Sequence, residues 1–380
     1  MATIKEIAAL AGVSRGTVDR VLNNRGSVNP ATAKRIQEIA DSLDYKPNRA
    51  GLVLAAHKKH LKLGVILFSP DNPFFRDVLQ GVREKAAELS GYNCTVIIRQ
   101  VPFGVEEQLK ALDELMVLEV SGIAIAPYND ERIRCRINAL VDAGIPVVTL
   151  NTDIENSRRL AYVGSHYTRS GATAAGLLRL MTQGQVHVGV LIGSTNLLCH
   201  TQRVVGFAEA LKSYFAPDSF RAQNPGKLPL TMPAPSSLSA DTRALPPTQK
   251  LPLTVAGRIC ITDIIENHDD DAESYAKTSS LLADHPEINA LYVAGAGVLG
   301  ACRSIKDAGL AGQICVITYD LADTTRALLE EGIISATICQ QPVKQGSQPL
   351  DILFSYLSTG ELPEEEYHYT AVDIRIRENL

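Results

Sequence analysis

The stretch that decides the fold of the N-terminal part reads TIKEIAALAGVSRGTVDRVL and spans residues 3–22. Thr3 and Glu6 form a Thr-x-x-Glu capping box, and apolar residues then recur at helical spacing for two turns. Gly12 follows as a tight turn, and Ser14 is placed to cap a second short helix. The pattern predicts two short helices joined by a turn.

A third helix is predicted downstream, because Asn29 and Pro30 stand at its N-cap and first helical position. Its buried face is predicted to consist of Ile36, Ile39, Ala40 and Leu43. The second helix is predicted to turn Val18, Val21 and Leu22 inward. It is predicted to present Arg15, Gly16 and Arg20 to solvent. This arrangement indicates a helix-turn-helix unit whose second helix enters the major groove of DNA.

Charge is distributed unevenly along the chain. Residues 1–60 contain ten Lys/Arg and five Asp/Glu, a net charge of +5, although the whole chain has a formal net charge of −5. Residues 61–380 therefore carry a net charge of −10. A basic N-terminal part on an acidic body is expected of a phosphate-binding module joined to a domain with another task.

Length and composition narrow the class of protein. A chain of 380 residues is expected to hold at least two domains. It has no run of about 18 apolar residues, and its N-terminus does not resemble a secretory signal, so we expect no membrane association. The seven cysteines are scattered without CxxC spacing, which favours reduced thiols in a cytoplasmic protein over a metal site or a disulfide framework.

Four short motifs stand in the N-terminal part: Ile-Ala-x-Leu-Ala-Gly-Val-Ser at 7–14, Thr17-Val18, Arg20-Val21-Leu22-Asn23 and Tyr45-x-Pro47-Asn48. With these motifs, residues 3–56 resemble the DNA-binding head and hinge of the lactose repressor family. The resemblance implies that the hinge folds into a short helix when two subunits meet on operator DNA. A leucine of each subunit, Leu54 by position, then inserts into a central minor-groove step and kinks the duplex.

The resemblance also implies a set of DNA-contacting residues: Thr3, Ser14, Arg15, Gly16, Thr17, Arg20, Asn23, Asn48 and Leu54. Its base-reading positions fall on Arg15, Gly16 and Arg20. Gly16 departs from the family because it has no side chain, so the two arginines are expected to carry most of the direct base readout. Asp19 stands where the family usually has a serine near phosphate, and it is placed to orient one of these arginines.

From residue 61 the pattern changes to strands alternating with amphipathic helices. The predicted strands are Leu63–Phe68, Cys94–Ile98, Gly122–Ala126, Pro146–Leu150, Val186–Ile192, Arg258–Thr262, Ala290–Ala294 and Ile314–Thr318. Such alternation predicts parallel sheets covered by helices on both faces. The strands are too many for one sheet, so two Rossmann-like lobes joined by crossing strands are expected. This part resembles the periplasmic sugar-binding proteins.

Polar residues stand where predicted strands end, which is where doubly wound sheets bind ligands. Asn72 with Phe74 and Phe75 suits a sugar, because an amide bonds hydroxyl groups and rings stack on a C–H face. The resemblance to ribose-binding proteins implies further ligand contacts: Asn151, Thr152, Arg203, Asp320 and Gln340. Relatives often have Asp-Arg where this chain has Asn151-Thr152. The predicted ligand is a small polar molecule, most simply a sugar or polyol.

A glycine motif supports a competing interpretation. Residues 295–300 read GAGVLG and fit GxGxxG between an apolar strand and a helix, and Asp320 lies about twenty residues beyond. A nicotinamide-binding regulator or oxidoreductase is therefore an alternative. Against it, the motif lies far from the first βα unit of its lobe, and the resemblance implies a ligand-contacting loop there, usually containing Asn-Asp.

Other enzyme motifs are absent from the sequence, which contains no GxxxxGK[ST], HExxH or GxSxG. His268 with Asp269–Asp271 could suggest a metal cluster, but consecutive side chains diverge, so a solvated loop or helix start is favoured. His166, His187 and His200 have no partner at ligand spacing. We therefore predict neither catalysis, nor a cofactor, nor a metal site.

The expected fold class is an α-helical helix-turn-helix head followed by an α/β part with two Rossmann-like lobes of the periplasmic-binding-protein type. The predicted domains are the head at 1–46, a hinge at 47–60 and an effector domain at 61–380. A Pro-rich insertion at 216–256 interrupts a helix-to-strand link, on the side of the sheet opposite the ligand.

The predicted function is a transcriptional repressor whose affinity for operator DNA is controlled by the ligand, with the sign of the response left open. No leucine heptad follows the last predicted strand, so a homodimer on a near-palindromic operator is expected. A sugar-binding receptor without a DNA role is the other alternative, and residues 1–50 argue against it.

Overall fold

The structure, a computed structural model, describes residues 4–22, 28–43, 60–68, 72–214 and 258–380. The chain divides into two compact units, Met1–Lys59 and His60–Leu380, and each has its own hydrophobic core. Four predicted DNA contacts lie outside the described residues: Thr3, Asn23, Asn48 and Leu54. The side chain of Asp19, nearly all of the predicted hinge and the Pro-rich insertion also lie outside them.

The first unit contains three helices: α1 (Ile4–Ala11), α2 (Arg15–Leu22) and α3 (Pro30–Ser42). Ser14 caps α2, because its hydroxyl accepts a hydrogen bond from the Thr17 N–H at 3.1 Å. Asn29 caps α3 by accepting a hydrogen bond from the Ala31 N–H at 3.0 Å. The predicted helices and both of these caps are therefore confirmed.

One apolar face of each helix forms the core of the first unit. Its buried residues include Ile7, Ala11, Val18, Ile36 and Ala40, and Val21, Leu22 and Ile39 pack against them. Gly12 has a φ of +63°, a left-handed conformation that suits glycine in the turn between α1 and α2. The prediction that Leu43 is buried is wrong: α3 ends at Ser42, and Leu43 is the C-cap with 37% of its surface exposed.

The second unit alternates strands and helices. Its strands are β1 (Leu61–Phe68), β2 (Cys94–Val101), β3 (Gly122–Ile125), β4 (Val147–Leu150), β5 (Ala161–Gly164), β6 (Val186–Ile192), β7 (Ile259–Glu266), β8 (Ala290–Val293), β9 (Cys315–Tyr319), β10 (Ala336–Cys339), β11 (Tyr367–Tyr369) and β12 (Asp373–Arg375). Its helices are α4 (Pro73–Ser90), α5 (Val105–Val117), α6 (Glu131–Asp142), α7 (Tyr167–Met181), α8 (Leu198–Tyr214), α9 (Asp271–Asp284), α10 (Val298–Asp307), α11 (Asp323–Glu330) and α12 (Pro342–Thr359), followed by a 3₁₀ turn at Arg377–Asn379.

These strands form two six-stranded sheets with the orders β11-β5-β4-β3-β1-β2 and β12-β10-β9-β8-β6-β7. Neighbouring strands run parallel, apart from β12, which is antiparallel to β10. The sheet containing β1–β5 defines the N-lobe, and the sheet containing β6–β10 defines the C-lobe. The chain crosses between the lobes three times: after β5, after β10 and after β11. The predicted pair of Rossmann-like lobes with crossing segments is confirmed.

The eight strands predicted from apolar runs are all present, but β7 extends to Glu266, beyond the predicted end at Thr262. Four further strands, β5, β10, β11 and β12, are not among these eight, and each is only three or four residues long. The seven cysteines are free thiols. Among the residues that the structure describes, no helix is long and apolar enough to cross a lipid bilayer.

Candidate functional site

The exposed face of α2 carries the residues predicted to read DNA bases. Arg15, Gly16 and Arg20 are all exposed. Arg20 lies along the helix, because its Nε donates a hydrogen bond to the Gly16 carbonyl oxygen at 3.1 Å. The hydroxyl groups of Ser14 and Thr17 form a hydrogen bond of 2.9 Å at the start of the helix. This face combines two cations with a helix N-terminus, which are groups that bind phosphate and base edges.

In the second unit, a cavity lies between the two lobes at the carboxyl ends of the strands. Its empty volume, including the open mouth, is about 740 Å³. It is lined by Phe68, Asn72, Pro73, Phe74, Phe75, Asn151, Leu197, Cys199, His200, Arg203, Asp269, Asp271, Gly295, Ala296, Gly297, Val298, Leu299, Tyr319, Asp320, Ala322, Thr324, Thr325 and Gln340. Seven of the eight predicted ligand-binding residues therefore line one cavity.

The eighth predicted residue, Thr152, is fully buried and does not line the cavity. Its neighbour Asn151 has a φ of +60°, which turns the chain sharply at the end of β4. That turn brings the Asn151 side chain to the cavity, whereas Thr152 lies behind the wall. The prediction that Thr152 contacts the ligand is not supported by its position.

Among the residues that the structure describes, the N-lobe wall is aromatic and uncharged. Asn72 is the N-cap of α4, and its Oδ1 accepts a hydrogen bond from the Phe74 N–H at 3.0 Å. The ring of Phe74 meets Phe75 edge to face with centroids 5.3 Å apart. Phe75 in turn packs on Phe68 at 4.8 Å. Because the cap occupies the amide oxygen of Asn72, its NH₂ group is the part that can donate to a ligand.

Asn151 and Asp320 occupy equivalent positions in the two lobes. Asn151 follows β4 and Asp320 follows β9, each the third strand in its sheet order, and their φ angles are +60° and +65°. The Asn151 N–H bonds the Val163 oxygen at 2.9 Å, and the Asp320 N–H bonds the Ile338 oxygen at 3.0 Å. Left-handed conformation in non-glycine residues is uncommon and concentrates at binding sites.

Arg203 dominates the C-lobe wall. It is 4% exposed and donates through Nη1 to the Ala294 carbonyl oxygen and through Nη2 to Gln340 Oε1, both at 2.7 Å. Its guanidinium lies 3.7 Å from the ring centroid of Tyr319 and 4.8 Å from that of Tyr167. Burial acts to lower the pKa of Arg203, but these two tyrosines help to raise it above the usual value, so the side chain is cationic.

Asp320 is joined to Arg203 through Gln340. The Gln340 amide nitrogen donates to Asp320 Oδ1 at 3.0 Å and to Oδ2 at 2.9 Å. Burial raises the pKa of Asp320 to about 6, although Arg203 and Gln340 act in the opposite direction. The three side chains form one network with a cation at one end and an anion at the other.

Gln345, in the first turn of α12, connects this wall to the crossing segments. Its Nε2 donates to the Gln340 carbonyl oxygen at 2.8 Å and to Thr370 Oγ1 at 3.4 Å. Its Oε1 accepts from Asn151 Nδ2 at 3.3 Å. The Thr370 hydroxyl also forms a hydrogen bond of 3.1 Å with the Ser165 hydroxyl. The crossing segment after β5 therefore contacts the crossing segment after β11. Hydrogen bonds therefore connect the cavity walls to the segments that cross between the lobes.

Two residues of the C-lobe wall, His200 and Asp269, were not predicted to contact the ligand. His200 is buried, and its Nδ1 accepts a hydrogen bond from the Ser194 N–H at 3.1 Å. Asp269 is held by the Ala296 N–H, which donates to its Oδ1 at 2.8 Å. The signal that was missed is the full length of β7, which ends at Glu266 rather than at Thr262. Asp269 comes only three residues after this end, and the end of a strand is where ligand contacts were sought.

The acidic run after β7 splits into separate local roles. Asp270 caps α9 through the Glu273 N–H at 2.7 Å, and Asp271 Oδ1 accepts from the Gly300 N–H at 3.1 Å. His268 pairs with Glu273 at 2.9 Å. Within the described residues, no group of three or more His, Cys, Asp or Glu side chains is arranged to hold a metal ion.

The glycine motif at 295–300 lines the cavity but does not form a phosphate-binding loop. Two of its N–H groups, those of Ala296 and Gly300, already bind the carboxylates of Asp269 and Asp271. A pyrophosphate placed there would meet two negative charges. A Cβ at Gly295 would lie 2.7 Å from the Gly193 nitrogen, so that glycine serves the close packing of loops.

The fold and the cavity define a two-lobed ligand-binding protein with a helix-turn-helix head. Residues 63–227 and 252–362 match the periplasmic binding protein domain, and residues 3–48 match the bacterial regulatory proteins of the lacI family. The chain belongs to the periplasmic binding protein domain family and carries a head of the lacI family. The resemblance inferred from the sequence is therefore confirmed.

Individual relatives agree with this assignment. The chain is 31% identical over 221 residues to the probable HTH-type transcriptional repressor ExuR of Bacillus subtilis (strain 168), covering 57% of this chain and 62% of ExuR. It is 28% identical over 210 residues to catabolite control protein A of Priestia megaterium, covering 55% of this chain and 60% of that protein. The chain thus spans about three fifths of the length of these curated relatives.

Solved structures share the fold. GanP, a glucose-galactose binding protein from Geobacillus stearothermophilus, matches with a TM-score of 0.67 and 22% identity. The match covers 85% of this chain and 99% of GanP. At this identity the likeness establishes the architecture of the two lobes alone.

Proposed function

We propose that the protein is a transcriptional repressor that binds operator DNA and responds to a small polar ligand, a sugar or polyol, held between its lobes. The observation that carries the proposal is the interlobe cavity, lined by polar side chains from both lobes, on a chain with a lacI-family head. The names of ExuR and catabolite control protein A support a regulatory role.

The proposed mechanism is a population shift between open and closed arrangements of the two lobes. Ligand bound to Asn72 and Arg203 favours closure, and the Gln345 network transmits closure to the crossing segments. In a homodimer, closure changes the spacing of the two hinges, which alters how readily Leu54 inserts into the operator. Coupling free energies of this kind are on the order of 1–3 kcal/mol.

The proposed organisation keeps the boundaries inferred from the sequence: head 1–46, hinge 47–60, effector domain 61–380 and insertion 216–256. We place the protein in the cytoplasm, because its proposed partner is chromosomal DNA. The proposal includes no catalytic activity and no cofactor. A nicotinamide-dependent enzyme is disfavoured by the carboxylates on the glycine loop, and a pure sugar receptor is disfavoured by the basic face of α2.

The test of this proposal is operator selection from random duplex DNA at moderate salt, repeated with D-ribose, D-glucose, sorbitol and NADH. We expect one near-palindromic sequence with a flexible central step, and we expect one polyhydroxyl compound to change its binding. Enrichment that depends only on NADH would favour the nicotinamide alternative. The absence of any enriched sequence would contradict the reading role of the head.

Arg20→Ala tests base readout within the same experiment. Loss of one base contact should cost about 1–3 kcal/mol of operator affinity and relax the preference at one position. Lys34→Ala is the control, because Lys34 is an exposed cation on α3 rather than α2. It should leave base preference unchanged. Unaltered base preference in the Arg20→Ala protein would refute the reading role of Arg20.

A further inference from the structure

Among the residues that the structure describes, the charged groups of the cavity all belong to the C-lobe wall. Its carboxylates are Asp269, Asp271 and Asp320, and its permanent cation is Arg203. The N-lobe wall contributes rings and the amides of Asn72 and Asn151. His200 accepts an N–H at Nδ1. Burial acts to lower the pKa of His200, but the neighbouring Cys199 and Asp269 raise it above its usual value. Even a protonated His200 would leave the carboxylates in excess by one charge.

Arg203 is poorly placed to bind an anionic ligand. The end of its guanidinium, where two parallel N–H groups would grip a carboxylate or phosphate, already donates to Ala294 and Gln340. Its positive charge is balanced through Gln340 by Asp320. Two of the five guanidinium N–H groups make these bonds, so three N–H groups remain. One of them is the buried Nε–H, whose nitrogen has no hydrogen-bond partner among the residues that the structure describes.

Asp269 has an acceptor left for the ligand. The Ala296 N–H fixes Oδ1, and within the described part of the chain no donor reaches Oδ2. The backbone at Asp269 has a φ of +59°, so the side chain is held in place by an uncommon conformation as well as by this bond. The wall thus presents a fixed, unpaired carboxylate oxygen to the cavity.

Closure of the lobes makes this excess negative charge costly. Closure removes water from the walls, and an ionised carboxylate without a compensating cation is strongly disfavoured in such surroundings. A neutral sugar supplies hydroxyl hydrogens but leaves the net charge unchanged. A ligand that carries an ammonium group supplies both the hydrogen bonds and the missing positive charge.

We infer that the ligand of this cavity is an amino-substituted polyol, an amino sugar in its simplest form, with its ammonium group on Asp269. The ring hydroxyls lie toward Asn72, Asp320 and the Arg203 Nε, and the C–H face lies on Phe74. The inference rests on the proposed function and specifies the chemical class of its effector. Polyols that carry a carboxylate or phosphate are excluded from the cavity by the same charges.

The test is calorimetric titration of the full-length protein with matched compounds: D-glucose, D-glucosamine, N-acetyl-D-glucosamine and D-glucuronate, and the corresponding galactose and mannose series. In at least one series we expect the amino sugar to bind about tenfold or more tightly than the neutral parent. The N-acetylated compound, which has lost the charge, should lose that advantage. The uronates should not bind measurably.

Asp269→Asn assigns the preference to one residue. Asparagine keeps an oxygen for the Ala296 N–H, so the loop retains its bond while the charge is lost. The advantage of the amino sugar should disappear, and affinity for the neutral parent should stay within about twofold. Asp284→Asn is the control, because Asp284 is exposed at the far end of α9. It should retain the full preference.

Three outcomes would overturn the inference. If neutral sugars bind as well as their amino counterparts, the ammonium group does not contribute to binding. The proposed function, a repressor controlled by a sugar, would still stand. An undiminished amino preference in the Asp269→Asn protein would move the ammonium to another residue. Failure of every neutral and amino sugar to bind, with operator binding intact, would overturn both this inference and the effector part of the proposed function.

Discussion

The two walls of the interlobe cavity are built from the same kind of strand ends and differ in chemistry. The N-lobe wall presents Phe74, Phe75 and the amides of Asn72 and Asn151, whereas the C-lobe wall presents Arg203 and three carboxylates. Asn151 and Asp320 show this difference at equivalent positions of the two lobes. Both have a left-handed backbone, but Asn151 is neutral and Asp320 is acidic. We therefore expect shape recognition and charge recognition to belong to different lobes.

This division has a consequence for how the protein responds. A ligand that touches only the aromatic wall can occupy the cavity without closing it. In the proposed mechanism, a ligand that engages both walls gains the charged contacts in the closed arrangement, so its binding free energy favours closure. Substitutions in the two walls are therefore expected to have different effects: in the C-lobe they change selectivity and response, and in the N-lobe they change affinity alone.

The largest effect is expected from Arg203→Ala. The substitution removes the cation of a buried network and leaves the oxygen of Gln340 and the charge of Asp320 without their partner. Truncating such a partner costs about 2–5 kcal/mol. Ligand affinity should therefore fall by a hundredfold or more, on the order of that free energy. Operator binding in gel-shift titrations should survive, with no response to ligand.

Two further variants make the Arg203 result interpretable. Arg203→Lys keeps the charge but loses the paired N–H groups, so it should remain folded and respond weakly. Arg303→Ala removes an arginine from the exposed face of α10 in the same lobe and should behave as the wild-type protein. A normal ligand response in the Arg203→Ala protein would place the site away from the C-lobe wall.

The second effect concerns stability and pH. Burial raises the pKa of Asp320 to about 6, from an ordinary value of 3.8 in the unfolded chain. Between these two pH values the folded protein binds a proton that the unfolded chain does not, so stability rises as pH falls through this window. Asparagine does not titrate. The unfolding free energy of the wild type relative to Asp320→Asn should increase by on the order of 2 kcal/mol between pH 7 and pH 4.

Chemical denaturation at several pH values measures this difference. Asp284→Asn again serves as the control, since Asp284 is exposed at the far end of α9 and does not belong to the cavity network. A wild-type advantage that shrinks on acidification would mean that Asp320 is stabilised as the anion in the ligand-free protein. The charges of the C-lobe wall would then compensate one another. The two walls would differ less in electrostatic character than the number of carboxylates in the C-lobe wall indicates.

Much of the fold was predictable because its information is local. Caps such as Asn29 and apolar runs such as Val186–Ile192 specify their own helix or strand. The short strand β11 has no such pattern: Tyr367–Tyr369 pairs with β5, about two hundred residues earlier in the chain, and neither segment is long enough to show periodicity. Its pairing is determined by the tertiary structure.

The candidate site was predictable where family motifs or strand ends marked it, as at Asn72, Arg203 and Gln340. Asp269 was missed because the polar residues Thr262 and Asp263 interrupt the apolar pattern of β7, so the strand seemed to end too early. His200 was missed because its position against the Gly193 and Gly295 loops comes from packing between three strand ends. Thr152 was predicted to contact the ligand but does not line the cavity, and the turn at Asn151 that separates it from the cavity cannot be read from the sequence.

The smallest effect is expected from Phe74→Leu in the N-lobe wall. Leucine retains most of the apolar surface but removes the flat ring on which a sugar C–H face stacks, a loss of about 0.5–1.5 kcal/mol. Affinity for the amino sugar and for its neutral parent should fall together by roughly threefold to tenfold.

Phe103→Leu is the matched control, because Phe103 packs on Phe68 and Tyr128 in the same lobe without lining the cavity. Equal losses for both sugars in calorimetric titration would sharpen the division between the walls. A loss confined to the amino sugar would break it, since the ring would then be binding the ammonium group through its π face.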